Sequence, residues 1–127
     1  MNTGINDHTT CLSVVNSISD TMYVIGGKWK VPIIAALREG KCRFNDIQRT
    51  LGVISARVLS NELKDLELNG FVQRVVHDKT PVFVEYKITE YAATLGPVLT
   101  ALADWGYHHR EKIKRELVQP ELATAEG

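Results

Sequence analysis

The sequence predicts an α+β fold that is mostly α-helical and contains one β-hairpin, and three observations support this prediction. Apolar residues recur every three or four positions through most of the chain, which is typical of amphipathic helices. The period changes to two in residues 72–88, around Asp78-Lys79-Thr80-Pro81, which has the composition of a turn. The 127 residues, 44% hydrophobic and 24% charged, suit a single soluble domain spanning residues 1–127.

Capping residues, glycines and a proline divide the helical part into five segments. Ser55, Asn45 and Thr89 are suitable N-caps, and Gly40 and Gly70 follow helix ends. The predicted helices are Leu12–Ile25, Lys28–Arg38, Asp46–Leu51, Ala56–Leu68 and Glu90 to about Leu117, the last broken near Gly96-Pro97. The predicted strands are Lys41–Phe44, Val72–His77 and Val82–Ile88. We expect a flexible arm over residues 1–10 and a frayed tail over residues 118–127.

The order of the central elements indicates a particular fold. A short helix, a tight turn and a helix with an apolar stripe, followed at once by a β-hairpin, form the pattern of a winged helix-turn-helix. We place this core at residues 26–91 and the wing at the hairpin. In such folds the second helix of the motif enters the major groove of DNA.

The helix Ala56–Leu68 has the residues that this role needs. Leu59, Leu63 and Leu66 form its buried stripe, which leaves a polar face outward. Arginine pairs with guanine or phosphate, asparagine pairs with adenine, and serine pairs with either. The candidate DNA-binding residues of this segment are Ser55, Ala56, Arg57, Ser60, Asn61 and Lys64.

Further candidate DNA contacts lie outside this helix. Lys79 and Thr80 occupy the tip of the predicted wing, and Arg43 and Arg49 are phosphate contacts by their position. Lys28 and Lys30 of the second helix fit either a phosphate contact or plain surface, and the sequence leaves this open.

The distribution of charge is compatible with a double-stranded DNA partner. The formal net charge is +0, but every one of the 15 Lys and Arg lies between Lys28 and Arg115, whereas five acids lie outside that window. The central part of the chain is therefore basic and the ends are acidic, a pattern that permits polyanion binding without demonstrating it.

Several other classes of protein are disfavoured. The histidines, including the adjacent pair His108-His109, lack carboxylate or cysteine partners at useful spacing, so we expect no catalytic residues and no metal site. Gly26-Gly27 is an isolated pair and not a phosphate-binding loop, and we expect no cofactor. No apolar run is long enough for a membrane span, and the polar start lacks the features of a signal peptide, so we expect a cytoplasmic protein.

Five segments carry a resemblance to a known family. They are GGKWKVPII (Gly26–Ile34), RFNDIQRTL (Arg43–Leu51), ISARVLSNELKDLELNGFVQR (Ile54–Arg74), VEYKITEY (Val84–Tyr91) and LADWG (Leu102–Gly106). In this order and spacing the chain resembles the HxlR-type helix-turn-helix regulators, relatives of the MarR-like winged-helix proteins. The resemblance covers about Cys11 to Arg115. It implies a sequence-specific bacterial regulator that binds a palindromic operator as a homodimer through its N- and C-terminal helices.

The C-terminal helix, residues 92–117, agrees with that implication because it carries more large apolar residues than the edge of so small a core needs. The candidate dimer contacts on the two terminal helices are Val15, Ile18, Leu95, Val98, Leu99, Leu102 and Trp105. A small-molecule effector between the dimer helices, lined by Tyr23, Trp29 and Trp105, is an alternative mode of control. A winged helix that binds protein instead of DNA is the alternative to the regulator itself.

The resemblance also implies a role for Cys11. Several members of the family sense oxidants or electrophiles through a cysteine just before the first helix, and Cys11 stands there, followed by Leu12 where the family often has proline. The alternative is that Cys11 is a small residue on an exposed arm with no sensing role. Cys42 lies in the predicted short strand, where an inert buried thiol and a disulfide to Cys11 of the other subunit are both open.

Overall fold

The computed structural model describes residues 8–118, with side chains from residue 10, and it confirms the predicted fold class. The elements are α1 (His8–Ile25), α2 (Lys30–Arg38), α3 (Phe44–Leu51), α4 (Ala56–Leu68), β1 (Val72–His77), β2 (Phe83–Ile88), α5 (Glu90–Ala93) and α6 (Gly96–Val118). The two strands form an antiparallel hairpin. No helix within this range has the length and apolar character needed to cross a membrane.

The chain forms two compact units, Met1–Ala93 and Thr94–Gly127. The boundary coincides with the predicted interruption of the last helix, because α5 ends at Ala93 and α6 begins at Gly96. Pro97 then lies in the first turn of α6, where its missing N–H is not needed. Thr89 caps α5 as predicted, since its hydroxyl oxygen accepts a hydrogen bond from the Ala92 N–H at 3.1 Å.

Three helix starts differ from their predictions. Helix α2 begins at Lys30 instead of Lys28, so Pro32 is its third residue, where a missing N–H breaks no helical hydrogen bond. Helix α3 begins at Phe44, which places Asn45 inside the helix and the extended residue Arg43 at the cap position. Helix α1 begins at His8, so the last three residues of the predicted arm are helical, while residues 1–7 lie outside the described part.

The predicted strand Lys41–Phe44 is wrong. Because Phe44 already belongs to α3, only three residues remain, too few for a ladder of hydrogen bonds. A single backbone hydrogen bond joins this segment to β2, in which the Tyr86 N–H donates to the Cys42 carbonyl at 2.8 Å. At the other end of the chain, Val118 is helical and the remainder of the predicted frayed tail, residues 119–127, lies outside the described part.

The core of the first unit positions α4. Ile33 and Ile34 of α2, Ile47 of α3 and the predicted stripe of α4 are all buried. Phe71 and Val72 continue this buried set into the start of the hairpin. The apolar side of α4 is therefore fixed against the rest of the unit, and its polar side is presented outward.

Candidate nucleic-acid interface

The turn between α3 and α4 sets the direction of α4. Gly52 has a φ of +90°, a left-handed conformation that favours glycine. Ile54 is buried beyond it, and the Gln48 side-chain amide donates to the Ile54 carbonyl at 3.1 Å. Ser55 then caps α4 as predicted, because its hydroxyl oxygen accepts from the Val58 N–H at 3.1 Å.

The outward face of α4 carries the polar side chains that the sequence predicted there. Ala56, Arg57, Asn61 and Lys64 are exposed, and Ser60 is half-buried. Within residues 10–118, Arg57, Asn61 and Lys64 form no side-chain hydrogen bond or ion pair. Their donors are therefore available to an external partner, and their contact with DNA stays a prediction.

The acids on the flank of α4 are held by a lysine of α2. The Lys30 ammonium lies 2.6 Å from a Glu62 carboxylate oxygen and 3.5 Å from one of Asp65. The hydrogen bond to Glu62 raises the pKa of Lys30 above its ordinary value, although burial opposes it. This pairing ties α2 to α4 and neutralises part of the negative charge beside the outward face. The sequence left open whether Lys28 and Lys30 contact phosphate, and the structure gives Lys30 acidic partners on α4. Lys28 is exposed, with its ammonium 5.0 Å from the centre of the Trp29 ring.

The wing has an exposed tip, and side chains brace the strand pair next to it. Lys79 and Thr80 are exposed at the tip. At the last pair of the hairpin before the turn, the Arg43 guanidinium lies 3.8 Å from the centre of the Phe83 ring, and that ring stacks on His77 at 4.4 Å. Arg43 therefore braces the wing from the start of α3, in addition to its predicted role as a phosphate contact.

A second cluster lies on the same face of the hairpin. His77 Nε2 lies 2.8 Å from a Glu85 carboxylate oxygen. The hydrogen bond from His77 is the largest cause of the lowered pKa of Glu85. Cys42 is half-buried, and its backbone carbonyl accepts the hydrogen bond from Tyr86 of β2.

Arg49 is exposed on α3, but its guanidinium forms an ion pair with Asp46 one helical turn earlier. An exposed i,i+3 pair of this kind contributes little stability and opens readily. A phosphate contact by Arg49 therefore has to compete with a weak internal partner.

Sequence reasoning missed two residues beside α4. Arg74 of β1 lies directly opposite Tyr86 of β2 in the hairpin register. Both line a groove of about 370 Å³ together with four residues of α4, namely Ser60, Leu63, Lys64 and Glu67. The signal was present in the period of two, because Arg74 shares a strand face with the buried Val72 and so points to the side where α4 lies.

The two terminal helices expose apolar side chains. Every residue of α1 from Cys11 to Tyr23 is exposed, including the candidate contacts Val15 and Ile18. On α6, Val98, Leu102 and Trp105 are exposed and Leu99 is buried, while Leu95, in the turn just before α6, is intermediate. Cys11 lies in the first turn of α1 and not before the helix, because α1 begins earlier than predicted.

Comparisons with known proteins agree with this architecture. Residues 24–114 match the model of a family described as HxlR-like helix-turn-helix. The uncharacterized HTH-type transcriptional regulator YdeP of Bacillus subtilis (strain 168) is 37% identical over 98 residues, which is 77% of this chain and 77% of that protein. The redox regulator HypR in its reduced form superimposes with a TM-score of 0.72 at 37% identity, covering 77% of this chain and 97% of HypR. Diamide-treated YodB from B. subtilis gives a TM-score of 0.62 at 34% identity, covering 72% and 91%.

Proposed function

Because this chain belongs to the HxlR-like helix-turn-helix family and is a transcriptional regulator of that type, we propose that α4 reads the base sequence of double-stranded DNA. The observation that carries this proposal is the outward face of α4, where Arg57, Asn61 and Lys64 are exposed without partners among the described residues. Arg57 in the first turn pairs with a guanine edge or a phosphate, and Asn61 pairs with adenine. Lys79 and Thr80 of the wing contact the adjacent backbone.

Replacing Arg57 with alanine tests this reading. We expect Arg57→Ala to weaken binding to a duplex from upstream of the protein's own gene by about 5- to 150-fold, or ~1–3 kcal/mol. Fluorescence anisotropy at two salt concentrations measures the loss. Arg38→Ala is the matched control, because Arg38 is equally cationic and exposed but lies at the end of α2.

Two results would contradict the proposal. Equal affinities of Arg57→Ala and Arg38→Ala for the duplex would remove α4 from the interface. A wild-type protein that binds no duplex even at low salt would favour the alternative, a winged helix that contacts another protein.

We also propose that the protein acts in the cytoplasm as a homodimer on a palindromic operator. The large apolar side chains that α1 and α6 each expose support self-association, since exposed apolar surface on a small protein is typical of an interface. Two-fold symmetry would present two copies of α4 to successive major grooves roughly 34 Å apart. This arrangement explains how one short helix gains enough specificity to select an operator.

Cys11 is our candidate for a redox or electrophile sensor. HypR is named a redox regulator, and YodB was treated with the thiol oxidant diamide, so both similarities support a thiol in regulation here. Cys11 is exposed, whereas Cys42 is half-buried. Cys11 is therefore the more accessible thiol to an oxidant.

Diamide treatment of the wild type, Cys11→Ser and Cys42→Ser distinguishes the two thiols. We expect diamide to change DNA affinity at least several-fold in the wild type and in Cys42→Ser, and to leave Cys11→Ser unchanged. Mass spectrometry and a non-reducing gel identify whether Cys11 forms an adduct or a disulfide. A diamide response that persists in Cys11→Ser would exclude Cys11 as the sensor.

A further inference from the structure

We infer that the groove between α4 and the hairpin binds a phosphodiester of the DNA backbone, held by Arg74, Tyr86, Lys64 and Ser60. This inference rests on the proposed function, because it assigns a backbone contact to the same DNA that α4 reads. Arg74 and Tyr86 lie outside both the helix-turn-helix and the wing tip.

The fold places these four side chains together from two elements. Arg74 and Tyr86 are direct partners in the hairpin register, so they lie side by side on one face of the sheet. Ser60 and Lys64 are four residues apart on α4, which puts them on one face of the helix. All four line the same groove.

The chemistry of the lining suits a phosphate group. A guanidinium supplies a planar fork of donors, an ammonium supplies three more, and two hydroxyls can donate as well. Arg74 and Lys64 form no ion pair with any of the described residues. Both side chains are exposed, so their charges are available to an external anion.

Glu67 also lines the groove and opposes an anion. The lining nevertheless has one more cation than acid, and Glu67 lies near the C-terminal end of α4, away from the residues that face the bases. Removing the charge of Glu67 should therefore strengthen phosphate binding, whereas removing the charge of Arg74 should weaken it.

The position of the groove favours DNA backbone over a small free anion. Ser60 and Lys64 belong both to the groove and to the outward face of α4 that carries Arg57 and Asn61. A strand whose bases meet Arg57 and Asn61 therefore carries its own phosphates along the edge where the groove opens. Backbone contacts of this kind fix the register of a protein on the duplex without reading sequence.

The test compares the salt dependence of binding for matched variants. The probes are a 25-bp duplex of random sequence and the upstream duplex, titrated between ~50 and ~200 mM salt. We expect Arg74→Met to weaken binding to both duplexes by the same factor, roughly tenfold, and to reduce the slope of log K against log salt by about 1. Tyr86→Phe should weaken both duplexes equally without changing the slope, and Glu67→Gln should tighten both.

Two control variants test whether the loss of any exposed cation would have the same effect and whether the charge of Arg74 is what matters. Lys87→Met removes an exposed cation from the opposite face of β2, and it should leave the slope unchanged. Arg74→Lys keeps the charge and should keep the slope, and circular dichroism checks that each variant is folded.

The outcomes separate this inference from the proposed function. If the wild type binds DNA and Arg74→Met retains the wild-type slope, or if Lys87→Met loses as much slope as Arg74→Met, the groove is not a phosphate site and the role of α4 stands. If the wild type binds neither duplex, both proposals fail.

Discussion

Replacing Leu102 with glutamate is expected to convert the proposed homodimer to a monomer. Leu102 is 50% exposed and Trp105, one turn later on α6, is 69% exposed, although both are large apolar side chains. Such surface is stabilised by burial against a second copy, at roughly 25 cal/mol per Å² of apolar area. A glutamate in that position would leave a charge buried without a partner, which costs several kcal/mol.

Sedimentation equilibrium measures this change directly. The wild type should have twice the chain mass of 14.2 kDa, and Leu102→Glu should have the single-chain mass. Thr100→Glu is the matched control, because it adds the same charge to an exposed polar position of α6 and should remain dimeric. Because two linked α4 helices bind with a high effective concentration, the monomer should also lose about 10²- to 10⁴-fold in operator affinity. A wild type that sediments as a monomer at micromolar concentration would contradict the dimer.

The second large effect is expected from Leu59→Ala. Leu59 has 0% exposure and belongs to the buried stripe that fixes α4 in the first unit. Truncating a fully buried leucine removes its transfer free energy and leaves a cavity, which costs ~2–5 kcal/mol of unfolding free energy. Because small domains are stable by only ~5–15 kcal/mol, this loss is a large share of the total.

Urea denaturation at a fixed protein concentration checks the prediction, since a dimer unfolds in a concentration-dependent way. Leu68→Ala is the control within the same helix, because Leu68 is 85% exposed and its truncation should change stability by no more than about 0.5 kcal/mol. Equal losses in the two variants would mean that the stripe of α4 does not anchor the helix.

Local signals were sufficient to predict α4 and the hairpin. The bounds Ala56–Leu68 and Val72–His77 agree with the structure residue for residue, because a serine cap, a leucine stripe and a terminal glycine act within one element. The predicted strand Lys41–Phe44 was wrong because local signals alone misplaced the start of the next helix. Its residues fit a strand locally, but α3 begins earlier than Asn45 suggested and takes Phe44.

Interactions between distant residues were beyond the reach of sequence reasoning. The pairing of Lys30 with Glu62 joins residues 32 apart, and no spacing rule connects them. The contact of Arg43 with the Phe83 ring and the meeting of Arg74 with Lys64 likewise depend on how the hairpin lies beside the helices. The candidate dimer residues were predicted from an excess of apolar residues. Val15, Ile18, Val98, Leu102 and Trp105 are exposed in the single chain, which is consistent with that interpretation, whereas Leu99 is buried within the chain and is not available as a contact.

The formal net charge of +0 does not describe the local charge on the outward face of α4. Glu62 is neutralised by Lys30, whereas Arg57 and Lys64 have no acidic partner among the described residues. The local balance on the outward face is therefore more positive than the composition suggests. Local charge, and not net charge, governs attraction to phosphate over a Debye length of about 10 Å.

The most direct test of the central claim is an anisotropy titration of the reduced wild-type protein with the upstream duplex and with a random duplex of equal length. We expect salt-dependent binding to both, a preference for the upstream duplex by at least about a thousandfold, and a large part of that preference lost in Arg57→Ala. Failure to bind either duplex at low salt, or an Arg57→Ala variant with undiminished preference, would contradict the claim that α4 reads DNA.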